Sequence, residues 1–143
     1  MTLVVDAYVP VSALVDSGRE GKWAESTLAE DFLAAPELVL TEACNILRRL
    51  EQSGEIPRPE ANDAQENLLR MDLELLPFTQ FAERIWALRS NLTSYDAWYV
   101  ALAETLGCPL ITLDRKLDRA TGPACDILSP SRSPIREKPR SRG

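Results

Sequence analysis

The sequence predicts a three-layer α/β/α domain with a mainly parallel central sheet of about four to five strands. Two observations indicate this fold. Short apolar runs such as TLVV and PLITL alternate with longer segments in which apolar residues recur at helical spacing. The short runs are apolar at successive positions rather than at every second one, which is typical of strands covered by helices on both faces.

The first third of the chain predicts one strand and two helices. TLVV predicts a buried strand that ends at Asp6, and the apolar spacing from Tyr8 to Leu14 predicts a helix. A second helix follows a glycine-containing turn and is stopped by Pro36. Its apolar side is marked by Trp23, Leu28, Phe32 and Leu33.

The middle of the chain predicts a strand followed by two helices, and then a second strand followed by one helix. ELVL predicts a brief strand, and a helix capped by Thr41 follows it. Residues 59–71 predict an amphipathic helix, LELLPF a strand and TQFAERIWALRSN a further helix.

The last third predicts a well-capped helix between strands. Thr93 or Ser94 caps this helix and Gly107 closes it. Residues 109–113 predict a continuous apolar strand, and residues 124–128 predict a final short one.

Length and composition predict one domain with an added tail. A chain of 143 residues with 45% hydrophobic content builds one ordinary core, which we assign to residues 1–130. Residues 131–143 have the Pro/Ser/Arg bias of a disordered segment. No apolar run approaches the roughly 20 residues of a membrane span, and the N-terminus does not resemble a secretory signal. We therefore expect a cytoplasmic protein without a membrane partner.

The charge of the chain is divided between the two segments. Five basic residues against one acid give residues 131–143 a charge of +4, which leaves residues 1–130 at −10. An acidic body does not attract nucleic acid by its overall field, so any contact with RNA or DNA needs metal ions or local basic patches.

The missing histidine restricts the possible chemistry. No histidine occurs in the chain, which excludes Ser or Cys triads that depend on it and makes a zinc site improbable. The three cysteines, Cys44, Cys108 and Cys125, lie in mainly apolar stretches, where each is expected to act as a small buried hydrophobe.

Four acids are predicted to meet at one edge of the sheet. Asp6 and Asp114 follow the two best predicted strands, whereas Glu42 and Asp96 lie near the beginnings of helices. Each acid alone has a simpler explanation as a turn or first-turn residue. Together they point to a site, because clustered carboxylates repel one another unless a bound cation offsets the cost.

Oxygen ligands without histidine favour a hard ion, so we expect Mg²⁺, with Mn²⁺ as a possible substitute. Such an ion orients a bridging phosphate and lowers the pKa of an attacking water. Phosphodiester hydrolysis is therefore the predicted chemistry.

Three segments carry a family resemblance. VVDAYVPVSAL, TEACNILRRL and LTSYDAWYVALAETLGCPLITLDRKL occur in this order. Together they resemble the PIN-domain ribonucleases, and most of all the VapC-type toxins of type II toxin–antitoxin systems, over nearly all of residues 3–128.

The resemblance implies a metal-dependent endoribonuclease toxin, a phosphodiester hydrolase that cuts selected tRNA, rRNA or mRNA and leaves a 5′-phosphate and a 3′-hydroxyl. It implies homodimers and inhibition by a VapB-type antitoxin whose C-terminal segment fills a groove. The residues that correspond to the family's catalytic and metal-binding acids are Asp6, Glu42, Asp96 and Asp114.

The resemblance also places Thr112 close to the metal and reveals one departure. Tyr8 stands where the family usually has Ser or Asn. A phenol at that position narrows the site or stacks on a base.

Several further residues have two interpretations. Asn45 either orients Glu42 or packs in the helix, since three residues separate them. Arg48 and Arg49 either meet RNA phosphates or, as we prefer, form a solvated helix face.

Asp118 is either a further acid near the site or, as we prefer, a surface partner of Arg115 and Arg119. Trp98 and Tyr99 are expected in the core or a dimer contact rather than as a base-stacking platform.

Two other functions compete with the nuclease. One is a catalytically inactive PIN-like module that binds a partner protein, although such a module has little reason to keep four repelling acids. The other is a phosphoacceptor receiver domain, which is discounted because Lys116 lies on the wrong side of Asp114.

Overall fold

The computed structural model describes residues 1–29 and 32–130, and a five-stranded sheet forms the centre of this part. The strands are β1 (Thr2–Val5), β2 (Phe32–Pro36), β3 (Leu73–Leu76), β4 (Leu110–Ile111) and β5 (Ile127–Leu128). Their order is β3-β2-β1-β4-β5, and every neighbouring pair is parallel. All five strands therefore end at the same edge, and the predicted parallel sheet is confirmed.

Seven helices accompany the strands within the described residues. They are α1 (Tyr8–Val15), α2 (Arg19–Leu28), α3 (Val39–Gln52), α4 (Arg58–Arg70), α5 (Ala82–Ala87), α6 (Ser94–Leu106) and α7 (Arg115–Asp118), and a 3₁₀ turn at Thr79–Phe81 precedes α5. The capping predicted for α6 is confirmed. The Thr93 hydroxyl oxygen accepts a hydrogen bond from the Asp96 backbone N–H at 3.2 Å, and Gly107 ends the helix at φ +65°.

Side chains of the central strand β1 alternate between two cores. Leu3 and Val5 lie in one hydrophobic cluster with Trp23 of α2. Val4 lies in the other, larger cluster, together with residues of α3, α5 and α6. Helices thus cover both faces of the sheet, and the three-layer α/β/α arrangement is confirmed.

The predicted structure of residues 23–40 is wrong in part. The helix ends at Leu28 instead of before Pro36, and FLAAP is strand β2. ELVL is not a strand, because α3 already begins at Val39, and its N-cap residue Leu38 makes no side-chain cap hydrogen bond. Thr41 therefore does not cap the helix. Alanine favours helices in isolation, but here fully buried Ala34 and Ala35 belong to a strand between β1 and β3.

The strand order creates a crevice at the carboxyl edge of the sheet. From β1 the chain adds β2 and then β3 on one side of the sheet, and it adds β4 and then β5 on the other side. The strand order therefore reverses at β1. In open α/β sheets this switch point is where ligands bind. The segments after β1 and β4 contain Asp6 and Asp114, which places these two acids at the crevice.

No helix among residues 1–29 and 32–130 is long and apolar enough to cross a membrane. The basic tail, residues 131–143, lies outside the described residues, so its predicted disorder and the domain boundary at residue 130 stay predictions.

Candidate active site

A pocket of about 230 Å³ gathers the four predicted acids. Asp6 follows β1, Glu42 and Asp96 lie in the first turns of α3 and α6, and Asp114 is the N-cap residue of α7. Among the described residues, the lining consists of Asp6, Ala7, Tyr8, Glu42, Asn45, Ile46, Arg49, Asp96, Tyr99 and Asp114.

Asp6 is the most deeply buried acid of this pocket, with 7% of its surface exposed. One carboxylate oxygen accepts a hydrogen bond from the Tyr8 backbone N–H at 3.1 Å, and the other accepts one from the Thr112 hydroxyl. Burial raises the pKa of Asp6 to about 7, against these hydrogen bonds, which lower it, and with a smaller rise from the charge of Asp114. The hydrogen bonds thus hold the Asp6 carboxylate in place, but they compensate its negative charge only in part.

Thr112 connects two of the acids. It is fully buried directly after β4, and while its hydroxyl donates to Asp6, the same oxygen accepts a hydrogen bond from the Asp114 backbone N–H at 2.8 Å. Its predicted place beside the acids agrees with this geometry. The side chain fixes the distance between the segments that follow β1 and β4.

Glu42 is oriented by Tyr99, whose hydroxyl donates a hydrogen bond of 2.5 Å to a Glu42 carboxylate oxygen. Burial and the nearby charge of Asp96 raise the pKa of Glu42, whereas the hydrogen bond from Tyr99 lowers it. Tyr99 is buried, as predicted, but its part in the site was missed. Its position three residues after Asp96 on the same helix was the available signal.

Asp96 and Asp114 complete the negative charge of the pocket. Burial and then the charge of Asp114 raise the pKa of Asp96. One carboxylate oxygen of Asp114 accepts a hydrogen bond from the Lys116 backbone N–H at 2.8 Å. Of the described residues in the lining, only Arg49 is cationic, so within this part of the chain the acids are not matched by an equal number of positive charges.

The donor chemistry of this pocket fits a hydrated divalent cation. All four acids offer oxygen, which hard ions prefer. An ion would also offset the repulsion that, after burial, raises the pKa values of Asp6, Glu42 and Asp96. Within residues 1–29 and 32–130, however, no three acidic or cysteine side chains form a ready-made ligand group. Mg²⁺ commonly keeps several waters, so the lining suits an ion that the carboxylates bind partly through water.

The supporting residues have distinct positions. Asn45 is exposed and lines the pocket beside Glu42, so its alternative interpretation as a buried packing residue is wrong. Arg48 and Arg49 are both exposed, but of the two only Arg49 lines the pocket. The two arginines therefore differ in what they can contact.

Asp118 does not lie at the surface, and that expectation is wrong. It is 9% exposed and accepts a hydrogen bond of 3.0 Å from the Ser129 hydroxyl, because the short helix α7 packs against β5. Trp98 is partly buried against the core and meets Phe78 edge to face with ring centroids 5.2 Å apart. Its predicted packing role is confirmed.

A larger groove of about 800 Å³ adjoins the pocket. Tyr8, Ile46 and Asp114 line both spaces. The other residues of the groove are Val11, Ser12, Val15, Asp16, Glu20, Leu50, Glu55, Ile56, Leu113, Arg115 and Lys116. An apolar floor with charged residues around it suits an amphipathic ligand.

Curated relatives resemble this chain over most of its length. Ribonuclease VapC9 of Mycobacterium tuberculosis is 37% identical over 125 residues, which are 87% of this chain and 95% of the relative. Ribonuclease VapC1 of the same organism is 38% identical over 125 residues, or 87% of this chain and 94% of the relative. These likenesses confirm the resemblance to the VapC type.

Solved structures share the fold. PAE2754 from Pyrobaculum aerophilum aligns with a TM-score of 0.61 and 26% identity, over 82% of this chain and 86% of that one. VapBC2 from Rickettsia felis, bound to a DNA fragment from its promoter, aligns with a TM-score of 0.62 and 16% identity, over 90% of this chain and 98% of that one. The family model of the PIN domain matches residues 3–123. The chain therefore belongs to the PIN domain family.

Proposed function

We propose that this protein is a divalent-metal-dependent endoribonuclease that hydrolyses phosphodiester bonds in selected RNA in the cytoplasm. The observation that carries the proposal is the pocket in which Asp6, Glu42, Asp96 and Asp114 converge from four separate segments. The likeness to proteins named as VapC ribonucleases supports RNA as the substrate.

Mg²⁺, or Mn²⁺ in its place, is the proposed ion, and the four acids would hold it. When bound, it would orient a bridging phosphate, offset developing negative charge and lower the pKa of a water molecule. The protein's own groups prepare this site. Thr112 holds the Asp6 carboxylate, and Tyr99 holds that of Glu42. Asn45 lies beside Glu42 and is placed to orient either that acid or a water.

We further propose that a small antitoxin protein inhibits the enzyme. The neighbouring solved structures include VapBC toxin–antitoxin assemblies, which supports a partner of this kind. The groove beside the pocket offers apolar side chains and both signs of charge to an amphipathic segment. A segment in this groove reaches Tyr8 and Asp114, so it would cover the entrance to the acids. The resemblance to VapC proteins also supports a homodimer.

The test is cleavage of RNA by the purified, partner-free protein. Total RNA is incubated in Mg²⁺, Mn²⁺ or EDTA, and new 5′-phosphate ends are mapped by adapter ligation. Asp96→Asn removes one pocket charge at nearly constant volume. Asp63→Asn is the matched control, because Asp63 is exposed on α4 and lines neither the pocket nor the groove.

Discrete cuts that need metal, persist in Asp63→Asn and vanish in Asp96→Asn are the expected result. Cuts that persist in Asp96→Asn would place the chemistry elsewhere. The absence of any cut, when metal binding is detected by calorimetry, would favour the alternative of an inactive protein-binding module.

A further inference from the structure

Tyr8 occupies the boundary between the acidic pocket and the groove, and it lines both. Its side chain is 48% exposed although it is a large aromatic group. Tyr99, the other aromatic residue of the pocket, is only 2% exposed. Tyr8 is thus the aromatic ring of this pocket that a ligand can reach.

Tyr8 is held by two hydrogen bonds, one at its backbone and one at the hydroxyl of its ring. Its backbone N–H donates to Asp6, which ties the base of the side chain to the acidic pocket. Its hydroxyl accepts a hydrogen bond of 3.2 Å from the Arg49 guanidinium. An exposed ring fixed in this way loses little further freedom when a ligand binds, which favours stacking.

Charges restrict what reaches the ring. Arg49 beside the pocket forms no ion pair with any acid of the described residues, so its guanidinium is available to a phosphate. In the adjoining groove, the acids Asp16, Glu20, Glu55 and Asp114 outnumber the cations Arg115 and Lys116, so the net charge of its described lining repels a phosphate backbone. The favourable region for RNA is therefore the rim where Arg49 and Tyr8 meet.

We propose that Tyr8 is a stacking platform for one unpaired RNA base at the rim of the acidic pocket, with Arg49 binding an adjacent phosphate; this rests on the proposed ribonuclease function. A base within an A-form duplex is already stacked on its neighbours and cannot cover the ring. The substrate class is accordingly single-stranded or looped RNA. Tyr8 positions the nucleotide and takes no part in the chemical step.

The test uses fluorescent RNA in a background that cannot cut it. The parent is full-length Asp96→Asn protein in Mg²⁺. The probes are ten-nucleotide unstructured RNAs with 2-aminopurine at each position in turn, as single strands and annealed to their complements. Stacking on an aromatic ring quenches 2-aminopurine, and anisotropy of an end label measures affinity.

Tyr8→Phe and Tyr8→Trp keep an aromatic ring, whereas Tyr8→Leu removes it. Tyr95→Leu is the matched control, because Tyr95 is 62% exposed next to Asp96 but lines neither the pocket nor the groove. We expect the parent, Tyr8→Phe and Tyr95→Leu to quench single-stranded probes. Tyr8→Leu should lose the quenching and bind about 5- to 150-fold more weakly, as expected for one lost stacking contact.

Three results would overturn the platform. Tyr8→Leu could match the parent in affinity and quenching, the parent could fail to quench the single-stranded probes, or duplex probes could be quenched as strongly as single strands. The platform would also be overturned by a loss in Tyr8→Leu of binding to an antitoxin peptide without a loss of RNA binding. The proposed function fails separately. Unmutated protein that quenches the probes but never cuts RNA would contradict hydrolysis and leave the platform supported.

Discussion

Asp6 shows how a single residue combines a structural cost with a functional role. Its carboxylate is nearly buried and sits close to Asp114, so the surroundings favour its protonated form. Two hydrogen bonds, from Tyr8 and Thr112, hold the carboxylate without cancelling that preference. Binding of the proposed cation would supply positive charge beside Asp6 and would couple the stability of the fold to the occupancy of the site.

The pKa of Asp6 predicts how stability depends on pH in EDTA. The pKa is raised from 3.8 to about 7, so between these values the folded state binds the proton more tightly than the unfolded chain. Stability should therefore fall as pH rises from 5 to 8. At about 1.4 kcal/mol per pKa unit, the interval from pH 5 to the folded pKa limits the effect of this one group to roughly 3 kcal/mol.

Urea unfolding at pH 5 and pH 8 measures this difference, with Asp6→Asn as the comparison. The variant should show a smaller difference, although not zero, because the raised pKa values of Glu42 and Asp96 act in the same direction. Equal pH dependence in both proteins would contradict the assignment to Asp6.

Tyr99 predicts a pH effect on activity. Its hydrogen bond lowers the pKa of Glu42, so Tyr99→Phe should raise that pKa further. A smaller fraction of Glu42 is then ionised at a given pH, and the acid limb of the cleavage profile should move to higher pH. At high pH the rate should approach that of the unmutated protein.

The pH–rate profile of Tyr99→Phe in Mg²⁺ checks this prediction, and Tyr95→Phe on the exposed side of the same helix is the control. A rate reduced equally at every pH would instead indicate that Tyr99 supports packing alone.

Among the elements, the contact between α1 and α2 is unusually close. Gly21 of α2 lies directly against the segment after α1, so that a Cβ atom there would stand 1.7 Å from the backbone oxygen of Asp16. Asp16 also accepts a hydrogen bond of 2.8 Å from the Gly18 N–H. The tight approach lets Trp23 reach the core on that face of the sheet.

Gly21→Ala should destabilise the protein, because the added methyl forces α2 away from α1. Overpacking of this kind costs about 1–3 kcal/mol, which exceeds the roughly 1 kcal/mol that alanine gains over glycine in a helix. Urea unfolding followed by tryptophan fluorescence gives the difference.

Gly18→Ala serves as the control, since its Cβ would meet only the Asp16 side-chain oxygen, at 3.1 Å. Unchanged stability in Gly21→Ala would mean that the two helices separate without cost.

Over the whole molecule, the net negative charge opposes the binding of RNA, the proposed substrate. The net charge of −6 repels RNA, and residues 1–130 carry −10. The four acids of the pocket add local repulsion, which a bound cation would offset. RNA binding should therefore depend on the ion and on local groups such as Arg49 rather than on the overall field.

Removal of residues 131–143 is predicted to change RNA binding little, because the proposed contacts lie at the rim of the pocket. Each phosphate that the tail neutralised would contribute about 0.7 to the slope of log K against log salt for single strands. We expect the slope to change by less than about 0.7, the value for one such contact. Anisotropy titrations of the full chain and the truncated chain, over a range of salt concentrations, measure it. A loss of several contacts would identify the tail as an RNA-binding arm.

Local patterns in the sequence determined most of the fold. The apolar runs of β1 and β4 and the cap residues Thr93 and Gly107 were sufficient, because strand burial and helix capping depend on neighbours in the chain. The four acids were predictable for the same reason, since parallel strands bring their carboxyl ends together.

Only the tertiary structure decided the remaining features. The alanines of β2 became strand because their neighbours in the sheet outweigh helix propensity. The contact of Tyr99 with Glu42 and that of Tyr8 with Arg49 join residues 57 and 41 positions apart. Asp118 is buried because α7 packs against β5. Such contacts depend on how the elements pack, and no local pattern encodes them.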